Sequence, residues 1–220
     1  MTPQIDTRDR DSLKNLVRGT LHFPDGDGYE EARQVWNGMI DRRPAAIVCA
    51  AGVADVMATV RFARERGLPV AIRGGGHNVA GTSVGDGSIV IDLARFKSVR
   101  VDPNQRRART GGGVLWSEYD HETQAFGLAS PGGAISATGI AGLTLGGGYG
   151  YLSRRYGMTC DNLLSADVVT ASGELVTASA GSHPDLFWAL RGGGGNFGVV
   201  TSFEFQLHPV HGFGLATYKP

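Results

Sequence analysis

The stretch RGGGHNVAGTSV, residues 73–84, follows an apolar run at residues 68–72 and is the most unusual part of the sequence. Three consecutive glycines leave the backbone without side chains, and His77 and Asn78 come directly after them. The apolar run predicts a buried β-strand that leads straight into the glycines. His77 is therefore a plain loop residue, a metal ligand, or the point at which a ligand is attached.

The strand before the glycines belongs to a β-α-β unit. Residues 45–50 predict a short buried strand, and residues 52–67 carry apolar side chains at helical spacing and end in a glycine. A strand, a helix and a strand in this order are typical of parallel strands. Residues 88–93 predict another strand, and residues 98–113 predict a hairpin that turns at Pro103-Asn104.

The second half of the chain has helical and antiparallel patterns instead. In chain order we predict a helix at 114–128, a stretch of small residues at 129–150, a hairpin at 163–178, a short helix at 183–192 and a long strand at 197–210. The fold class is therefore α+β, with a small parallel β-α-β subdomain at about 40–110 and a mixed, antiparallel α+β subdomain at about 111–212. We expect residues 1–39 to be an N-terminal lead-in, and residues 213–220 to begin a connection to a further domain.

Charge and cysteine content exclude several classes of protein. The chain has 21 basic and 21 acidic residues, so no electrostatic footprint indicates nucleic acid or an anionic membrane. The first residues lack the apolar core of a secretion signal, and no window of 18 apolar residues exists. Only two cysteines occur, so we expect a reducing, cytoplasmic setting rather than a disulfide framework.

Glycine is the compositional outlier, at 34 of 220 residues. It is concentrated in five clusters, at 74–76, 111–113, 132–133, 146–150 and 192–195. Clusters of glycine cost conformational entropy on folding, and they serve either tight turns or the close approach of backbone to a ligand such as a phosphate. Five clusters in one domain favour the ligand.

The sequence does not support the common motifs for nucleotide or metal binding. Gly193, Gly195 and Gly198 form a G-x-G-x-x-G pattern, but a helix precedes it and a strand follows, which is the reverse of a dinucleotide-binding motif. The sequence has no P-loop. The six histidines form no H-x-x-x-H pair and the cysteines lie far apart, so we expect no metal site.

Two glycine-rich segments remain, at residues 70–81 and 131–150. The first offers consecutive amide donors at the end of parallel strands, where anions bind well. The second lets another backbone or a flat ligand come into contact. Two such walls suit a planar cofactor that carries phosphate, and His77 is then a candidate for contacting or bonding it.

Four blocks of the sequence carry a family resemblance. They are VAIRGGGHNVAGTSVGDGSIVIDLARF, PGGAISATGIAGLTLGGGYG, RYGMTCDNLLSADVVTASGELVTAS and PDLFWALRGGGGNFGVVTSFEFQLHP. Together, over roughly residues 40–210, they resemble the FAD-binding domain of the p-cresol-methylhydroxylase-type flavoproteins. Within these, the chain is most similar to the berberine-bridge-enzyme-like and 6-hydroxy-D-nicotine-oxidase-like oxidases.

The resemblance implies that FAD lies between the two subdomains and that His77 carries it through an 8α-N-histidyl bond. It also implies a set of residues that hold the cofactor, several of them through their backbone: Arg73, Gly74, Gly75, Gly76, Asn78, Gly81, Pro131, Gly133, Ser136, Thr138, Gly139, Gly142, Gly146, Gly147, Tyr149 and Val199. Tyr149 is in addition a candidate substrate contact. The catalytic base is not assigned.

Some relatives attach FAD a second time, through a cysteine that would fall near Ile135 in this sequence, where no cysteine occurs. Cys160 lies later, beyond the glycine turn at 146–150, and we interpret it as a small buried residue. We therefore expect a single covalent link, at His77.

The resemblance further implies an oxidase that transfers a hydride from a small organic substrate to the flavin, with dioxygen as the electron acceptor. Relatives carry a substrate domain after this one, whereas this sequence ends at GLATYKP. The alternative is therefore a flavin-binding module without turnover of its own. Such a module would need a substrate domain or a partner chain, or would self-associate through an exposed apolar face.

Overall fold

The structure, a computed structural model, describes residues 5–210. Seven α-helices lie among the described residues, at Thr7–Leu16 (α1), Tyr29–Ala32 (α2), Val53–Glu65 (α3), Trp116–Gln124 (α4), Ile140–Leu145 (α5), Ser153–Tyr156 (α6) and Pro184–Leu190 (α7). Eleven strands lie at Thr20–His22 (β1), Ala46–Cys49 (β2), Val70–Arg73 (β3), Ile89–Asp92 (β4), Val99–Asp102 (β5), Arg107–Gly111 (β6), Leu128–Ala129 (β7), Leu163–Val169 (β8), Leu175–Ser179 (β9), Val199–Gln206 (β10) and His208–Pro209 (β11). A 3-10 turn spans Thr159–Asn162.

Two main sheets organise the molecule, and they confirm the α+β fold class. The first sheet has the order β1-β2-β4-β3, in which β2, β4 and β3 are parallel and β1 is antiparallel to β2. The second has the order β5-β6-β10-β8-β9 and is antiparallel throughout. The predicted hairpins are β5-β6 and β8-β9. Strands β7 and β11 form a separate two-stranded ribbon.

The predicted β-α-β unit is present, with β4 inserted between its two strands. Strands β2 and β3 therefore run parallel without being neighbours, and both pair with β4. The strands β2 and β4 are buried almost throughout, as expected for parallel strands covered on both faces. Their carboxyl ends, together with that of β3, form one edge, and the glycine–histidine loop leaves from this edge.

The N-terminal segment is more than a lead-in, because residues 20–22 add an edge strand to the first sheet. Leu13, Val17 and Phe23 are buried in the same core as Phe62 of α3. The buried Asp55 carboxylate accepts hydrogen bonds from the amides of Arg18 (3.0 Å), Gly19 (2.9 Å) and Ala51 (2.8 Å), which ties this segment to the start of α3. The expected boundary at residue 212 and the connection at 213–220 lie outside the described residues.

Helix α5 lies within the small-residue stretch, where the sequence predicted no helix. Its buried side chains, Ile140, Ala141, Thr144 and Leu145, follow helical spacing, but the glycines around them obscure the pattern. The Thr144 hydroxyl donates to the carbonyl of Ile140 at 2.8 Å and so stays satisfied inside the core.

An aromatic core lies beneath the second sheet. Trp116 and Tyr119 of α4 pack edge-on at 5.4 Å between ring centroids, and both contact Phe205 of β10. All three side chains are fully buried, and each burial contributes about 1.5–3 kcal/mol relative to exposure. This core supports the 131–150 stretch from below.

Among residues 5–210, no helix has the length and apolar character needed to cross a membrane.

Candidate functional site

The glycine–histidine loop forms the first wall of a cavity; we define this wall as residues 74–78. It leaves β3 at the carboxyl edge of the parallel sheet, where ligands bind in open α/β sheets. Gly76 and Gly81 have φ angles of 71° each, a left-handed conformation that favours glycine. These two residues lie on either side of His77 in the chain.

A buried ion pair anchors the first wall. Arg73, the last residue of β3, is the register partner of Asp92 on β4, and the guanidinium contacts the carboxylate at 2.7 Å. Asp92 also accepts a hydrogen bond from the amide of Ala94 at 2.8 Å. The Arg73 side chain is therefore engaged within the protein, and it holds the base of the loop.

The second wall, residues 138–146, meets the first wall backbone to backbone. A Cβ on Gly75 would lie 2.7 Å from the backbone of Gly139, and a Cβ on Gly139 would lie 2.6 Å from the amide nitrogen of Gly75. Only glycine permits this approach. A third glycine segment, residues 194–198, joins them, because the amide of Gly194 donates to the carbonyl of Leu145 at 2.8 Å.

These three segments enclose a cavity of about 430 Å³, within the range of small-molecule sites. Of the residues implicated by sequence, nine line it: Gly74, Gly75, Gly76, His77, Asn78, Thr138, Gly139, Gly142 and Gly146. His77 is the one ionisable side chain among the described lining residues. A negatively charged ligand would therefore have to be held by backbone amides and polar groups.

The other implicated residues lie around the cavity rather than on its surface. Arg73 is in the ion pair, and Gly81 packs against Ile40. Pro131 is buried, Gly133 packs against Leu143 and Trp116, and the carbonyl of Ser136 accepts from the amide of Ser117. Gly147 packs near Met158, and Val199 is in the core between the sheets. Tyr149 is 76% exposed.

The first wall carries unpaired polar atoms. The amides of residues 74–78 donate no hydrogen bond to any atom within residues 5–210. The Nδ1 atom of His77 is buried and likewise has no hydrogen-bond partner in this range. Buried polar groups in folded proteins are nearly always paired, so the Nδ1 atom of His77 indicates a site that a ligand completes.

The sequence patterns did not assign the third glycine segment to the site. Gly194, Gly195 and Gly198 line the cavity, although the order of elements around them excludes a dinucleotide-binding motif. Leu93 and Val200 also line it, at or just beyond strand ends. The glycine cluster at 192–195 was the available signal, but nothing local in the sequence assigns it to the same cavity as His77.

Cys160 is confirmed as a small buried residue, and it does not line the cavity. Burial raises the pKa of its thiol, and the nearby Asp161 carboxylate raises it further. A raised pKa disfavours the thiolate, which is the nucleophilic form of cysteine. Ile135 is 65% exposed.

Comparisons with known proteins agree with this geometry. A family model described as "FAD binding domain" matches residues 44–179. The (R)-6-hydroxynicotine oxidase of Paenarthrobacter nicotinovorans is 41% identical over 194 residues, which cover 88% of this chain and 42% of that protein. The glucooligosaccharide oxidase of Sarocladium strictum is 36% identical over 188 residues, covering 84% and 38%.

Solved structures give the same result. The 6-hydroxy-D-nicotine oxidase of Arthrobacter nicotinovorans superposes with a TM-score of 0.85 at 41% identity, covering 88% of this chain and 43% of that one. The berberine-bridge-enzyme-like protein 1 of Physcomitrella patens superposes with a TM-score of 0.88 at 34% identity, covering 92% and 44%. The chain thus spans less than half the length of these relatives.

Proposed function

This chain belongs to the p-cresol-methylhydroxylase-type family of FAD-binding domains, whose cofactor is FAD, and from this premise we propose that it is the cofactor-holding part of an FAD-linked oxidase. Its proposed reaction is the oxidation of a small organic molecule by hydride transfer, with dioxygen as the final electron acceptor. When bound, FAD supplies the two-electron acceptor for this chemistry.

The residues of the cavity fit such a group. The amides of Gly74, Gly75, Gly76 and Asn78 have no other partner among the described residues, and consecutive amides of this kind cradle phosphate oxygens. The glycines of the second wall leave room for a flat ring system against the backbone. We propose that the pyrophosphate lies on the first wall and that the cofactor extends between the two subdomains.

The observation that carries the proposal is the Nδ1 atom of His77, which is buried beside the cavity and has no hydrogen-bond partner among residues 5–210. A neutral imidazole nitrogen is a nucleophile, and we propose that Nδ1 forms the single covalent bond to the flavin. The buried, protonated thiol of Cys160 makes no second bond in this proposal.

In-gel flavin fluorescence tests this assignment. The chain is denatured, separated by electrophoresis and illuminated, and we expect a fluorescent band in the wild type and in Cys160→Ser. His77→Ala should lose the band while FAD can still be extracted from the folded protein. Loss of the band in Cys160→Ser with its retention in His77→Ala would contradict the assignment, and a colourless protein would contradict FAD binding itself.

A second candidate function is a flavin-binding module that needs another domain or chain for turnover. The exposed aromatic rings of Tyr149 and Tyr151, 76% and 79% exposed, favour it, because they follow the second wall directly and an interface would cover them. Oxygen consumption with candidate alcohols, sugars and amines separates the two functions. The module predicts no turnover by this chain alone and turnover once the covering domain is added.

A further inference from the structure

A strap of chain, residues 32–43, runs along the outside of the glycine–histidine loop. Several hydrogen bonds join the two: Arg73 to the carbonyls of Ala32 (2.6 Å) and Gln34 (3.2 Å), the Asn37 side chain to the carbonyl of Val79 (2.8 Å), and the amide of Arg43 to the Asp86 carboxylate (2.7 Å). Ile40 of the strap packs against Gly81. The strap is thus fixed to both ends of the loop.

Trp36 of the strap lies over the imidazole of His77. The ring centroids are 5.9 Å apart and the planes are inclined by 27°, which is a stacked arrangement. The Trp36 amide donates to the carbonyl of Gly76, the residue before His77, at 3.2 Å, which holds the Trp36 backbone beside the loop. The side chain is nevertheless 66% exposed, unlike the fully buried Trp116 of the core. Trp36 therefore contributes little to the core.

The imidazole of His77 needs this contact. Its Nδ1 atom has no hydrogen-bond partner among the described residues, so no hydrogen bond there fixes the torsion about the Cβ–Cγ bond. That torsion has broad minima, so the imidazole turns about it unless a packing contact restricts the ring. A flat indole against one face of the imidazole restricts the rotation.

We propose that Trp36 is a positioning residue for the covalent attachment of FAD to His77, an inference that rests on the proposed function. The attachment replaces the N–H bond of the imidazole and one C–H bond of the flavin 8-methyl group by a C–N bond. The two hydrogens, with their two electrons, reduce dioxygen to hydrogen peroxide, and the flavin ends oxidised. Trp36 takes no part in these bond changes and restricts the orientation of the imidazole ring whose nitrogen forms the bond.

The rate of attachment tests the proposal. Cofactor-free chain, produced under riboflavin limitation, is mixed with FAD in air, and covalent flavin is followed by in-gel fluorescence while acid-releasable flavin reports non-covalent binding. Trp36→Ala should slow attachment at least about tenfold, because a displacement of about 1 Å at a reacting group costs up to about 100-fold. Non-covalent binding and the melting temperature should stay close to wild type. Trp36→Phe, which keeps a flat ring, should restore most of the rate.

Met39→Ala is the matched control, since Met39 lies on the same strap, is 90% exposed and should attach FAD at the wild-type rate. Should Trp36→Ala lower the melting temperature, Trp36→Leu keeps apolar bulk without a flat ring and carries the same expectation of slow attachment. Attachment at the wild-type rate in the Ala or Leu variant would overturn the inference and leave the proposed function intact. A wild type that binds FAD without any covalent bond would overturn the covalent assignment itself, and the role of Trp36 with it.

Discussion

The two walls that meet at Gly75 and Gly139 are both glycine-rich, but different forces hold them. Charge and hydrogen bonds hold the first wall, through the buried Arg73–Asp92 pair and the strap. Apolar and backbone packing hold the second: a Cβ on Gly132, just before it, would lie 2.6 Å from the Trp116 ring. The first wall carries His77, the side chain that we propose bonds to the flavin, and the second supplies mainly backbone and apolar surface.

This difference matches the role that we propose for each wall. A side chain that forms a bond must be held in one orientation, and directional contacts such as an ion pair achieve this. A surface that only contacts a flat ring needs close approach, and glycine on a packed core achieves that. Substitutions can test the two kinds of force separately.

The largest expected effect comes from removing the charge that anchors the first wall. Arg73→Met leaves the Asp92 carboxylate buried without its partner, and breaking such a pair costs about 3–5 kcal/mol of the free energy of unfolding. Urea unfolding of the cofactor-free chain measures it. The double variant Arg73→Met/Asp92→Leu removes both charges and should recover much of the loss, because apolar replacements of a buried pair are often neutral.

Lys97→Met is the control for this change. The Lys97–Glu118 pair, at 2.7 Å, lies at the surface beside α4, and both side chains are 41% exposed. Surface pairs contribute at most about 1 kcal/mol. Equal losses in Arg73→Met and Lys97→Met would mean that the buried pair does not anchor the first wall.

The first wall was predictable from sequence, whereas the second was predictable only in part. The strand before Gly74 and the glycines themselves are adjacent in the chain, so a local pattern contains the whole feature. The contact of Gly75 with Gly139 joins residues far apart in sequence, and glycine has no side chain whose pattern could indicate it. Helix α5 was not predicted for a related reason: the glycines around it obscure the helical spacing of its buried side chains.

The sequence also did not predict the direction in which individual side chains point. The resemblance implicates Arg73 in cofactor binding, and the structure shows that its guanidinium contacts Asp92 and the strap. On β10, Val199 lies in the core and Val200 lines the cavity, because successive side chains of a strand point to opposite faces. No sequence pattern indicated a role for Trp36, because the stretch around it has neither strand nor helix periodicity.

The second prediction concerns α4, the helix beneath the second wall. Burial raises the pKa of Asp120 from 3.8 to about 6, so this carboxyl group binds protons more tightly in the folded chain than in the unfolded one. The free energy of unfolding should therefore fall as the pH rises from about 4 to about 6, by at most about 3 kcal/mol. Asp120→Asn should remove this slope and stabilise the chain at pH 7, as measured by urea unfolding across the range. Glu122→Gln, on the same helix, should keep the slope; a slope unchanged in Asp120→Asn would assign it to another group.

The smallest expected effect comes from one substitution made at two nearby glycines. Glycine to alanine should lower the free energy of unfolding at Gly139 and raise it at Gly142. In Gly139→Ala the new methyl group would lie 2.6 Å from the Gly75 amide nitrogen, and such overpacking costs about 1–3 kcal/mol. In Gly142→Ala, on α5, the methyl group would meet no atom within 4 Å, and alanine stabilises a helix by up to about 1 kcal/mol relative to glycine. Gly142 lines the cavity, so the methyl group that Gly142→Ala adds would occupy space proposed for the cofactor.

We expect Gly139→Ala to lose both stability and FAD, and Gly142→Ala to gain stability and lose FAD. Thermal unfolding without cofactor and flavin titration measure the two quantities, and unchanged FAD affinity in Gly142→Ala would place the cofactor elsewhere.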